Sequence, residues 1–113
     1  MSAYLVFTKE KTLDPAEMAI YQQNVVDTFG SFQHKVLAAY GAQEVFEGDP
    51  VEGVVIVEFP TAEEAKAWYD SPAYRQVRMH RFKGAEYRCV LVQGISTGES
   101  ASQGPMLAAV HGL

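Results

Sequence analysis

The sequence predicts an α+β domain whose elements follow the order βαββαβ, and three observations carry that prediction. Helix-start signatures recur at Asp14-Pro15, at Thr61 to Glu64 and at Ser71-Pro72. The β-branched, almost uniformly apolar run from Gly53 to Phe59 lies between the first and the second of them. Two further apolar runs, Ala3 to Thr8 and Glu86 to Gln93, bracket the whole.

Taken in order, Ala3 to Thr8 is nearly continuous in apolar residues, as in a strand covered on both faces. Asp14 then supplies an N-cap, Pro15 the first helical position and Glu17 the acid of a capping box. Met18, Tyr21, Val25, Phe29 and Phe32 follow at spacings of three or four, the stripe of a helix laying one face on a sheet, with Gly30 blurring its end. Lys35 to Glu47 reads as a second strand with a bulge or bend at Gly41, and Gly48-Asp49-Pro50 as a turn. Gly53 to Phe59 has the composition of a central strand.

Pro60 ends that strand, and Thr61 with Glu64 caps a helix whose Ala65, Trp68 and Tyr69 face inward. Ser71-Pro72 breaks it and starts another through Phe82, after which Glu86 to Gln93 forms the last strand. This is the ferredoxin-like βαββαβ arrangement, a four-stranded antiparallel sheet with its helices on one side. Its other face should be wet, yet the strands are apolar at both parities: Val54 and Ile56 alternate with Val55 and Val57. A second copy of the chain, sheet against sheet in a dimeric α/β barrel, is the simplest cover.

Composition narrows the function classes. With 48% hydrophobic and 20% charged residues the chain is an ordinary globular one, and 12.5 kDa suits one domain, residues 1–95, with a tail over 96–113. A formal charge of −5 argues against nucleic-acid binding, and the strands lack the basic and aromatic residues that stack bases. Arg75, Arg78, Arg81 and Lys83 form the local exception, either a solvated helix face or a small anion-binding patch. Cys89 is the single cysteine, so no intrachain disulfide can form, and its neighbours Tyr87, Val90 and Leu91 predict a buried thiol. The start, Met1 to Phe7 followed by Lys9, Glu10 and Lys11, is no signal peptide, and no apolar stretch reaches membrane length, which predicts a cytoplasmic protein.

Several pieces together resemble a known family: Glu44-Val45-Phe46-Glu47-Gly48, Val57-Glu58-Phe59-Pro60 with Ala65, Trp68 and Tyr69, Asp70-Ser71-Pro72 with Tyr74, and Arg81. Over residues 3 to 95 the chain is similar to the domain-of-unknown-function family 1330, within the dimeric α/β-barrel superfamily. The resemblance implies the fold and a homodimer more than an activity. Relatives commonly carry a glycine pair before the second strand, where this chain has Phe32-Gln33-His34, so a side chain is expected in space they leave open. The tail falls outside the resemblance: Ser96 to Ser100 and Ser102 to Pro105 read as linker, and Met106 to Val110 as a segment that frays or docks on the partner subunit.

A fold of this kind can hold a cavity between helices and sheet, and Tyr21, Trp68, Tyr69, Tyr74, His34, His80 and Arg81 are the candidates for its walls. Trp68 and Tyr69 also suit a plain core. His34 can act as a general base, and Arg81 can grip a carboxylate or steady an enolate, unless it is spent on a salt bridge to Glu47 or Glu58. Glu47 can sit at the pocket edge, and His80 points about 100° away from Arg81 on the helix. No histidine has the companions of a metal site, and nothing calls for a cofactor. The primary reading is a homodimer with a small-molecule pocket, its partners being itself and that ligand. Its alternative, implied by related barrel families, is a cofactor-free monooxygenase or isomerase acting on a small aromatic or anionic substrate. The competing reading is a non-catalytic dimerisation or stress-type binding module with a self-filled pocket, which the lack of a nucleophile, base and stabiliser constellation favours.

Overall fold

The computed structural model describes residues 1–95; the tail, expected to fray or to dock on a partner, lies outside the described residues. The elements are β1 (Ala3–Thr12), α1 (Pro15–Asn24), a 3-10 turn (Val26–Phe29), β2 (Lys35–Ala39), β3 (Gly53–Phe59), α2 (Ala62–Tyr69), α3 (Pro72–Gly84) and β4 (Ala85–Gln93). The sheet order is β2-β3-β1-β4, and every neighbouring pair is antiparallel. That is the predicted ferredoxin-like order.

The caps form where the residues place them. Asp14 Oδ1 accepts from the amides of Ala16 and Glu17, Thr61 Oγ1 from Glu64 and Ser71 Oγ from Tyr74. Each satisfies backbone donors that the first helical turn leaves unpaired. Glu17 does not close the box back onto Asp14; its carboxylate reaches His80 instead.

Two elements differ from the expectation. The second strand ends at Ala39, and its irregularity falls between Val36 and Ala38 rather than at Gly41. Tyr40 turns the chain away with a left-handed φ of 56°, so residues 41–52 run as an exposed loop and not as sheet. The first helix also stops short of Phe32. It loosens after Asn24 into the 3-10 turn, which Gly30 closes at φ 51°.

Register divides the sheet into two faces. Leu5 pairs with Val57 and Leu91, and Phe7 with Val55 and Cys89, beneath the helices. Val6 pairs with Ile56 and Val90 on the opposite face, where Val90 and Val92 are 47% and 46% exposed. Trp68, Tyr74 and Phe59 are the largest fully buried side chains and centre the core on the helical side. Among the described residues, no helix is long and apolar enough to cross a membrane.

Helix α1 rests mainly on α3 rather than on the sheet. Gly84 permits this, because a Cβ there would stand 2.7 Å from Met18 Cγ and 2.9 Å from the Met18 backbone nitrogen. Its carbonyl also accepts from the amides of Leu13 and Asp14, which ties the start of α1 to the end of α3. Gly84→Ala therefore overpacks a contact with backbone on one side. It is expected to cost about 1–3 kcal/mol of unfolding free energy, read from the denaturation midpoint.

Candidate functional site

Because α1 leans on α3, a gap remains between its Tyr21 to Val25 stretch and the sheet. It is a cavity of about 320 Å³, lined mainly by apolar and aromatic residues: Phe7 and Val55 from the sheet, Tyr21 and Phe29 from the first helical segment, Trp68 from α2, Tyr40 just after β2 and Tyr87 from β4. The volume suits a ligand of one or two rings. Aromatic packing fixes these walls. Phe29 stacks on Trp68 with centroids 4.7 Å apart, and Trp68 meets Tyr74 at 4.0 Å. The Trp68 indole nitrogen donates to Thr28 Oγ1 at 3.1 Å, so the largest ring in the chain is pinned at both face and edge.

Tyr40 borders the cavity on the strand side. Its ring lies against Gly53, where a Cβ would come within 2.3 Å of Tyr40 Cδ1, and its hydroxyl pairs with that of Tyr87. Only glycine admits the ring there. A left-handed backbone at a bulky residue is strained, and Tyr40 holds it because the ring and hydroxyl are both engaged.

Arg81 lies behind the aromatic wall and is only 3% exposed. Its guanidinium carbon stands 5.3 Å from the Phe7 centroid and 5.0 Å from those of Tyr87 and Phe82, while Nη2 donates to Tyr69 Oη at 3.4 Å. Nearby, the Tyr21 and Tyr74 hydroxyls share a hydrogen bond of 2.8 Å. Burial above all raises the Tyr21, Tyr74 and Tyr87 phenols; Tyr74 further lifts Tyr21 and the bond to Tyr40 further lifts Tyr87, while Arg81 pulls each down. They stay neutral hydroxyls at working pH.

The structure thus brings Tyr21, Trp68, Tyr69, Tyr74 and Arg81 into one cluster. The salt bridge considered for Arg81 is not made: Glu47 sits in the exposed loop, and Glu58 accepts from Tyr4 on the opposite sheet face. His34 stacks on the outer side of Phe29 at 3.8 Å and bonds through Nδ1 to the Phe32 carbonyl, so Phe29 separates it from Trp68. His80 bridges α3 to α1 through Glu17 at 2.5 Å and does not line the cavity.

The basic patch divides likewise. Arg81 points inward, and Arg78 caps the Tyr69 carbonyl at 3.2 Å with its guanidinium over the Tyr69 ring, which leaves Arg75 and Lys83 exposed. Cys89 is half-buried on the helical face, where burial raises its thiol against a weaker opposite pull from Arg81. Among the described residues, no group of three or more His, Cys, Asp or Glu comes together that could hold a metal ion.

Sequence reasoning missed Phe7, Tyr40 and Tyr87 as wall residues. Tyr40 fell inside an apparent strand and Tyr87 read as a neighbour of Cys89. The available signal was the tyrosine total: five of the six, all but Tyr4, gather around Arg81 and the cavity.

The model of a domain of unknown function, DUF1330, matches residues 2–95. No curated protein matches the chain. Among solved structures, a protein of unknown function from Rhodopseudomonas palustris superposes with a TM-score of 0.68 at 16% identity, covering 84% of this chain and 83% of that one. A dimeric protein of unknown function and ferredoxin-like fold from Bacteroides fragilis gives 0.57 at 10% identity, covering 82% and 96%. SnoaB, a cofactor-independent oxygenase from Streptomyces nogalater, gives 0.56 at 11% identity, covering 85% and 95%.

Proposed function

The chain belongs to the DUF1330 family, a domain of unknown function, and on that premise we propose that it is a homodimer that binds a small, largely aromatic molecule between α1 and the sheet. The cavity of about 320 Å³ carries this reading, since a domain of this size normally fills its core. Trp68 and Tyr21 form the walls against which a ring would lie, and Tyr69, Tyr74 and Arg81 back its polar end. Dimerisation is supported by the uncovered valines Val90 and Val92 on the far face, and by dimeric proteins among the ferredoxin-like neighbours.

Binding is favoured over turnover. A cofactor-free oxygenase or isomerase needs a proton acceptor against its substrate, whereas His34 lies outside Phe29 and His80 is engaged with Glu17. The likeness to SnoaB, at 11% identity, speaks for the fold alone.

Native mass spectrometry of protein purified without added ligand tests the proposal. The expected species is twice the 12.5 kDa chain and carries a releasable small molecule. Ala39→Trp, which projects a ring into the cavity from β2, is expected to remove that adduct while the mass of the dimer is retained. A bare chain that also fails to take up 1-naphthamide would overturn the reading.

A further inference from the structure

Among the described residues, Arg81 is a buried cation with no buried anion beside it. Among the described residues no carboxylate lies within 4.0 Å of its guanidinium, and Nε has no hydrogen-bond partner. What surrounds it are neutral groups: the Tyr69 hydroxyl, and the faces of Phe7, Phe82 and Tyr87. An arginine keeps its charge at any working pH. Ring faces and one long hydrogen bond offset part of the cost of taking that charge out of water, but a buried charge is ordinarily matched by a counter-charge. Two of these neighbours, Phe7 and Tyr87, connect the cation to the cavity, and Tyr21 stands beside them in its wall. The Tyr21 hydroxyl runs on to Tyr74.

We infer that the cavity takes an aromatic ligand bearing one anionic oxygen group, a carboxylate or an acidic enol, with the Tyr21 and Tyr87 hydroxyls at its polar end and Arg81 behind them as the counter-charge. This rests on the binding reading above and adds the charge of the ligand. Hydroxyls are suited to the contact because each can donate to an oxyanion while accepting from, or releasing, its present phenol partner. Arg81 acts through them and through its field, as a positioning residue, and the aromatic walls exclude the water that would weaken that field.

The experiment compares 1-naphthoate with its neutral isostere 1-naphthamide by titration calorimetry on the full chain, for the wild type, Arg81→Met and Tyr21→Phe. The expected result is that naphthoate binds the wild type about tenfold or more tighter than the amide, the size of one charge-assisted hydrogen bond. Arg81→Met should abolish that preference while keeping amide affinity, which a merely structural arginine would not do. Tyr21→Phe keeps the packing and should reduce the preference in the same sense, so the inference remains testable if Arg81→Met fails to fold. Equal binding of the two probes by the wild type, or a preference that survives both substitutions, overturns the anionic ligand and leaves the cavity reading standing. If neither probe binds, both readings fall.

Discussion

Replacing Trp68 with alanine is expected to lower the unfolding free energy by about 3–5 kcal/mol, the range for deleting a fully buried large aromatic. Several physical terms converge on this residue. It is 1% exposed, so its whole surface is removed from water on folding. It stacks between Phe29 and Tyr74 and meets Phe7 edge-on, and none of these rings can follow it into the space it leaves without breaking another contact. Its indole N–H satisfies Thr28, itself only 6% exposed. A small domain has only about 5–15 kcal/mol in hand, so the variant should show a much lower urea midpoint by circular dichroism. Trp68→Phe retains a ring and loses the hydrogen bond, and a smaller loss of about 1–2 kcal/mol is expected. If Trp68→Ala unfolded at the wild-type midpoint, the aromatic column would not be the centre of the core.

The same residue marks what could be read without coordinates. The caps at Asp14, Thr61 and Ser71, the apolar Gly53 to Phe59 run and the helix stripes are local signals, each spanning a few residues, and they carried element order and fold. Trp68 and Tyr74 could be placed inward for the same reason, since helix periodicity alone sets the face. Local signals could not say that α1 would lean on α3. That depends on Gly84 meeting Met18 across 66 residues of chain, and the cavity is a consequence of that lean. They could not end β2 at Ala39 either, because Val45 and Phe46 look like strand although the loop leaves them 44% and 89% exposed. Arg81 was legible as a candidate from its place on the Tyr74 side of α3. Its isolation from every acid among the described residues was not, because Glu47 and Glu58 are both plausible partners until the sheet faces are assigned. His34 offered only an imidazole able to act as a base, with no spacing to place it; a single ring, Phe29, separates it from the indole wall.

The far face of the sheet supports the other large effect, the conversion of a dimer to a monomer by Ile56→Lys. Ile56 pairs with Val6 on β1 and lies near Ala38 on β2, so it sits in the middle of that face, in a row that Val6 carries across to Val90. In an isolated chain this row is only partly covered, and a lysine there can run its stem over the valines and keep its ammonium in water. The fold should therefore survive. In a sheet-to-sheet dimer the two lysines, one from each copy, would be brought into the same apolar layer, away from the charged groups of this face, Lys35, Glu58, Glu86 and Arg88, which stand at other register positions. Several kcal/mol per unpaired ammonium, at about 1.4 kcal/mol for each tenfold in dissociation constant, should weaken self-association by a thousandfold or more. Light scattering at micromolar concentration is expected to give twice 12.5 kDa for the wild type and 12.5 kDa for the variant, with unchanged far-ultraviolet circular dichroism. A variant that stays dimeric would move the interface off the sheet and onto other exposed apolar residues, such as the Val45-Phe46 loop or Met79 and Phe82 of α3. Because the cavity lies on the helical side of the same sheet, a monomeric Ile56→Lys that still binds 1-naphthoate would also show that each subunit holds a complete site.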